Sequence, residues 1–177
     1  MPLAAKIRRK AERIRLAVFD VDGVMTDGSI LLGDDGTEFK AFHAHDGLGL
    51  VMLQQADIGV AIISSRSSRA VARRMLDLGV PHVLQGVRDK AQALQGLLQE
   101  LQIANEAMAF IGDDLIDLPA MALAGLAIAV ANARPEVLAS ADWITTAPGG
   151  RGGVREVCEM LLDSQGKLAG QAQRSTG

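Results

Sequence analysis

The chain has 177 residues, 49% hydrophobic and 22% charged, with a formal net charge of −3, a globular composition that excludes a disordered chain. An acidic balance with 3% aromatic residues and no tyrosine excludes a basic, base-stacking nucleic-acid surface. One cysteine, Cys158, and three histidines exclude an internal disulfide and a cysteine-rich metal knuckle.

This length predicts one compact domain over residues 1–177. The basic run from Lys6 to Lys10 predicts a surface helix. The apolar stretch after it is cut short by Asp20, so no secretory signal is expected. The longest apolar run, residues 120–131, is too short to cross a bilayer, and a cytoplasmic location is expected. Leu16-Ala17-Val18-Phe19 predicts a buried strand ending at Asp20. In residues 29–42, Ile30-Leu31-Leu32 meets Gly33-Asp34-Asp35-Gly36, which predicts a β-hairpin. Asp46 is expected to cap a helix over 46–55. Residues 58–63 predict a β-branched strand. Ser67 or Ser68 is expected to cap a helix to about 78, stopped by Gly79. A strand over 82–84, a helix over 89–101 and a strand over 108–111 follow. A helix over 115–124 contains Pro119, which marks an irregular first turn. Strand 126–130, a helix opened by Pro135, strand 143–145 and helix 154–162 complete the pattern. The polar tail from about residue 166 is expected to be mobile.

Alternating apolar strands and helices predict the α/β class: a Rossmann-like parallel sheet covered by helices on both faces. In such sheets ligands bind beyond the carboxyl ends of the strands. There the chain carries Asp20-Val21-Asp22-Gly23, Ser64-Ser65-Arg66, Lys90, and Gly112-Asp113-Asp114-Leu115-Ile116-Asp117. Carboxylates, a hydroxyl and a lysine at converging strand ends suit phosphoryl transfer with a hard divalent metal. Mg²⁺ takes oxygen ligands, and Asp20, Asp113 and a carbonyl near Asp22 offer them. An Asp carboxylate can attack phosphorus. Asp22, two residues on, is placed to protonate a leaving alcohol and then to activate water. Ser64 and Lys90 can bind the phosphoryl oxygens.

These segments resemble the four motifs of the haloacid dehalogenase superfamily of phosphohydrolases. More narrowly, Asp46-Gly47-Leu48-Gly49, Gln85-Gly86 and Gly149-Gly150-Arg151-Gly152 with Val154-Arg155-Glu156-Val157-Cys158 are similar to the family of 3-deoxy-D-manno-octulosonate 8-phosphate phosphatases. The resemblance implies Asp20 as nucleophile, Asp22 as acid and base, and Mg²⁺ held by Asp20, the Asp22 carbonyl and Asp113. It implies Ser64 and Lys90 on the phosphoryl group, and Asp114 and Asp117 behind them, on metal waters or on Lys90. The implied product serves lipopolysaccharide synthesis. Ser65 stands where the family usually has glycine, beside Arg66 in the same turn. His45 stands where an arginine is common, a position for contact with the substrate's acid group.

Many members of the superfamily carry a cap domain, and this chain has no room for one. A capless pocket is wet, which weakens the charge interactions the reaction needs. The hairpin is one expected cover, since its apolar residues call for burial against other protomers, and the resemblance implies a homotetramer. The glycine-rich segment 149–153 is the other, a flap presenting Arg151 to the substrate. Two further readings carry different functions: a phosphatase for another acidic sugar phosphate, such as N-acylneuraminate 9-phosphate, and a phospho-accepting receiver or a non-catalytic binding module. Asp22 argues against the receiver, which needs no acid two residues after its acceptor.

Overall fold

The structure is a computed structural model describing residues 3–170. The expected mobile tail therefore lies largely outside the described residues. The strands are β1 (Leu16–Phe19), β2 (Leu31–Leu32), β3 (Glu38–Phe39), β4 (Gly59–Ile63), β5 (His82–Leu84), β6 (Met108–Gly112), β7 (Leu126–Ala129) and β8 (Trp143–Ile144). The helices are α1 (Ala5–Ala11), α2 (Ala44–Gln55), α3 (Arg69–Asp77), α4 (Lys90–Leu101), α5 (Leu118–Met121), α6 (Pro135–Ser140) and α7 (Gly153–Ser164).

Six strands form one parallel sheet in the order β5-β4-β1-β6-β7-β8. Every residue of β1, β6 and β7 is buried, as a sheet covered on both faces requires. Phe19 is paired with Ile62 on one side and Ile111 on the other, and these side chains are fully buried. Each such burial stabilises the fold by about 1.5–3 kcal/mol. Helix α2 packs on β4 and on α7, and α1 packs on α7. A Cβ at Gly49 would lie 3.0 Å from Cys158 Sγ, so this glycine sets how closely α2 and α7 approach. Burial pushes the Cys158 thiol far up, and it is a core residue.

From β1 the chain moves outward to β4 and β5, then returns to the other side of β1 for β6, β7 and β8. Connections thus leave β1 and β6 in opposite directions, which opens a crevice at their carboxyl ends. Asp20 and Asp113 are the residues that follow these two strands.

Several local expectations are corrected. Helix α2 begins at Ala44 behind His43, and Asp46 does not cap it. Its fully buried carboxylate instead accepts from the backbone N–H of Arg155 at 2.8 Å and of Gly152 at 3.2 Å, so it caps α7. Ser68 precedes α3 but makes no side-chain cap bond. Residues 115–117 form a 3₁₀ turn and α5 spans only Leu118–Met121, with Pro119 in its first turn, where proline's missing backbone donor costs nothing. The hairpin forms as an antiparallel pair, Leu31 opposite Phe39 and Leu32 opposite Glu38. Its Ile30, Leu31, Leu32 and Phe39 are 50%, 52%, 68% and 59% exposed.

Candidate active site

Asp20 leaves β1 with its backbone N–H bonded to Ile111 O, and its side chain enters the crevice nearly buried. Lys90 stands in the first turn of α4, which Asp89 caps by accepting from Gln92 N–H at 2.9 Å. The buried Lys90 Nζ donates to Asp20 Oδ1 at 2.6 Å and to Asp117 Oδ1 at 2.7 Å. Asp117 Oδ2 in turn accepts from the backbone N–H of Asp113 at 3.0 Å and of Asp114 at 3.3 Å. Asp114 points outward and caps the 3₁₀ turn, accepting from Leu115 N–H. Asp117 therefore holds both Lys90 and the loop that carries Asp113.

Asp20, Asp113 and Asp117 each present a carboxylate oxygen, and the three lie within 4.8 Å of one another. Asp113 Oδ1 is buried without a hydrogen-bond partner among the described residues. Burial, then the charges of Asp20, Asp117 and Asp114, push the Asp113 carboxyl up to about 8. Burial and Asp117 raise Asp20 to about 6, against the pull of Lys90. Burial alone would lower the Lys90 ammonium, but the two carboxylates outweigh it and the group is raised. One ammonium facing three carboxylates leaves a deficit of positive charge, and the all-oxygen donor set suits a hard divalent cation. The cradle is shaped for it by glycines. Gly23 has φ +95°, and a Cβ there would lie 2.1 Å from Asp113 Oδ2.

Ser64, buried at the end of β4, accepts from Arg66 N–H at 3.2 Å, and its hydroxyl proton stays available to a ligand oxygen. Arg66 Nη2 donates to Glu38 Oε2 at 2.6 Å, and its Nε lies 3.8 Å from Asp22 Oδ2. This pair holds Glu38 below the usual carboxylate range. Arg151 donates to Asp27 Oδ2 at 3.2 Å, with its side chain 68% exposed. The ring of His45 faces that of His43 edge-on at 5.1 Å, beside Asp46. The structure thus brings Asp20, Lys90, Asp113 and Asp117 into one cluster, and gives Arg151 and His45 other partners.

Two residues escape the motif reading. Lys40, from the hairpin, has a buried side chain and is paired with Asp22. Nothing in an exposed hairpin sequence marks it. Asn132 donates to Gly23 O at 3.3 Å and accepts from Gly149 N–H at 2.7 Å, so it joins the loop after β1 to the glycine segment. It lies just beyond the end of β7, where the strand-end rule points. The glycine segment itself is docked on that loop. Gly150 N–H donates to Val24 O at 2.8 Å, and a Cβ at Gly149 would lie 1.8 Å from Gly23 O.

A sequence profile described as haloacid dehalogenase-like hydrolase matches residues 82–157. The chain is 48% identical over 167 residues to the 3-deoxy-D-manno-octulosonate 8-phosphate phosphatase KdsC of Escherichia coli strain K12, covering 94% of this chain and 89% of that protein. The phosphatase of the same name from Yersinia pestis has a crystal structure that superposes with a TM-score of 0.94 at 48% identity, over 96% of this chain and 91% of that one. The Moraxella catarrhalis phosphatase of this name, in complex with magnesium, phosphate and KDO, superposes with a TM-score of 0.95 at 45% identity, over 98% of this chain and 99% of that one.

Proposed function

The chain belongs to the 3-deoxy-D-manno-octulosonate 8-phosphate phosphatase family of haloacid dehalogenase-like hydrolases, and we propose that it hydrolyses that sugar phosphate with Mg²⁺ through an aspartyl-phosphate on Asp20. It is a phosphomonoesterase. The observation that carries the metal-assisted chemistry is the buried Asp113 Oδ1, unpartnered among the described residues, beside Asp20 and Asp117, while the octulosonate substrate is supported by the 48% identity to phosphatases of that name. The Asp20 and Asp113 carboxylates, with the Asp22 backbone carbonyl, would hold the ion. When bound, Mg²⁺ offsets negative charge between carboxylate and phosphoryl group.

The chain's own residues do the rest. The Asp20 carboxylate attacks phosphorus, and its P–O bond forms as the ester P–O bond breaks. Asp22 gives its proton to the departing sugar oxygen. Asp22 then takes a proton from water as that water attacks the phosphorus of the aspartyl-phosphate, which releases inorganic phosphate and restores Asp20. Lys90, fixed between Asp20 and Asp117, keeps the nucleophile in place and faces the phosphoryl group with a positive charge. The Ser64 hydroxyl donates to a phosphoryl oxygen. Arg66, His45 and Arg151, the last from the docked glycine segment, belong to substrate recognition, and Asp114 to the outer support.

The reading includes one capless domain assembled as a homotetramer, supported by the four exposed apolar hairpin residues Ile30, Leu31, Leu32 and Phe39. It also includes a cytoplasmic place in lipopolysaccharide precursor synthesis. No described helix is long and apolar enough to cross a membrane. The test is phosphate release across acidic sugar phosphates, with Mg²⁺ and with chelator. The octulosonate ester is expected to be the preferred substrate and chelator to abolish turnover. Preference for a nine-carbon ester would move the substrate, and a single bound phosphate without turnover would replace the enzyme by a receiver.

A further inference from the structure

We propose that Lys40 is a positioning residue for Asp22, fixing which carboxylate oxygen meets the substrate's leaving group. The inference rests on the acid and base role of Asp22 given above. The side chain of Lys40 is 1% exposed although it stems from a hairpin whose apolar neighbours are in water. A buried ammonium needs paired charges, and it has two. Its Nζ donates to Asp22 Oδ1 and lies 3.4 Å from Glu38 Oε1. Glu38 is in turn clamped by Arg66 at 2.6 Å. Arg66, Glu38, Lys40 and Asp22 form one ionic chain from the end of β4, through the hairpin, to the catalytic loop.

The χ2 torsion of an aspartate is broad and nearly two-fold, so its two oxygens exchange readily unless something holds one. Lys40 holds Oδ1. Arg66 Nε, at 3.8 Å, is too far from Oδ2 to bond it. Oδ2 is then the oxygen left to give its proton to the sugar oxygen as the ester bond breaks and the bond to Asp20 forms. Misplacing such a group by about 1 Å lowers rates by roughly a hundredfold. The hairpin, besides presenting an apolar face, thus reaches into the chemistry through one charge.

Leaving-group dependence separates this role from a structural one. An alkyl ester such as the octulosonate phosphate needs a proton on its leaving oxygen, and p-nitrophenyl phosphate does not. Lys40→Met is expected to lower kcat on the sugar phosphate roughly a hundredfold, with little change in KM, and to leave single-turnover release of p-nitrophenolate with enzyme in excess, which reports transfer to Asp20 before Asp22 acts as base, near the wild-type rate. Asp22→Asn is the reference: its loss on the sugar phosphate should be larger still, with single-turnover p-nitrophenolate release again near the wild-type rate although steady-state turnover falls, because the second step needs Asp22 as base. Lys40→Arg should recover most of the loss. If Lys40→Met does not fold, as judged by its melting curve, Lys40→Gln takes its place in the same comparison. Single-turnover p-nitrophenolate release slowed as much as sugar-phosphate turnover, or a rise in KM alone, beside an Asp22→Asn that keeps that release would overturn the role of Lys40 while leaving that of Asp22 intact. Single-turnover release equally slowed in Asp22→Asn itself would overturn both.

Discussion

A Cβ on Gly23 would stand 2.1 Å from Oδ2 of Asp113, so the turn that follows Asp20 and Asp22 and the carboxylate from the neighbouring strand occupy each other's space. The contact is tolerated because residue 23 is glycine in the left-handed region, at φ +95°. Gly23→Ala must therefore move Asp113. The expected outcome is Mg²⁺ affinity lowered by roughly 10–100-fold, the usual effect of disturbing a ligand's support. Titration calorimetry on the folded variant checks it, and wild-type affinity would contradict the cradle.

The acids of the site make metal binding pH-dependent. Asp113 at about 8 and Asp20 at about 6 both lie above their ordinary value of 3.8. A raised carboxyl contributes stability that is fully present below its unfolded value and is lost as pH rises through its folded value. The metal-free protein therefore loses this contribution between about pH 4 and pH 8. A bound cation displaces the same protons, so its apparent affinity rises over the interval from 6 to 8 that the two groups span. The increase in Tm on adding a fixed Mg²⁺ concentration should grow across that interval. An increase that is the same at both ends would contradict the assignment.

Lys90 is held between two buried carboxylates, so its removal strands both. Lys90→Met is expected to lower stability by about 3–5 kcal/mol in urea denaturation with chelator present. Adding Asp117→Asn removes one stranded charge and should return part of that loss. A double variant no more stable than Lys90→Met would show that the pairing with Asp117 is not what the lysine offsets.

Much of this site was legible because strand ends can be read locally. Asp20, Ser64 and Asp113 each follow a run of apolar, buried residues. What was not legible depends on distant partners. Asp46 reads as a cap for its own helix, since it opens an apolar helical pattern, yet its acceptors serve Gly152 and Arg155, more than a hundred residues away. Lys40 carries no mark of its own in the sequence, and its pairing with Asp22 exists only once the hairpin is folded. The glycines of 149–153 read as a flexible flap, and two of them turn out to press on the backbone of residues 23–27.

The Asp46 contact can be measured on its own. Asn in its place keeps the shape but turns an amide donor toward a backbone N–H. Asp46→Asn is expected to lose about 1–3 kcal/mol, a fall in Tm of roughly 3–10 °C by calorimetry. An unchanged Tm would mean that α7 does not depend on this cap.

The nucleophile is the centre of the account, and phosphate release by Asp20→Asn from the octulosonate ester at saturating Mg²⁺ tests it most directly. An amide can neither attack phosphorus nor carry the phosphoryl group, so a loss of at least about a thousandfold relative to wild type is predicted. Turnover by the variant at a rate near that of the wild type would contradict the account.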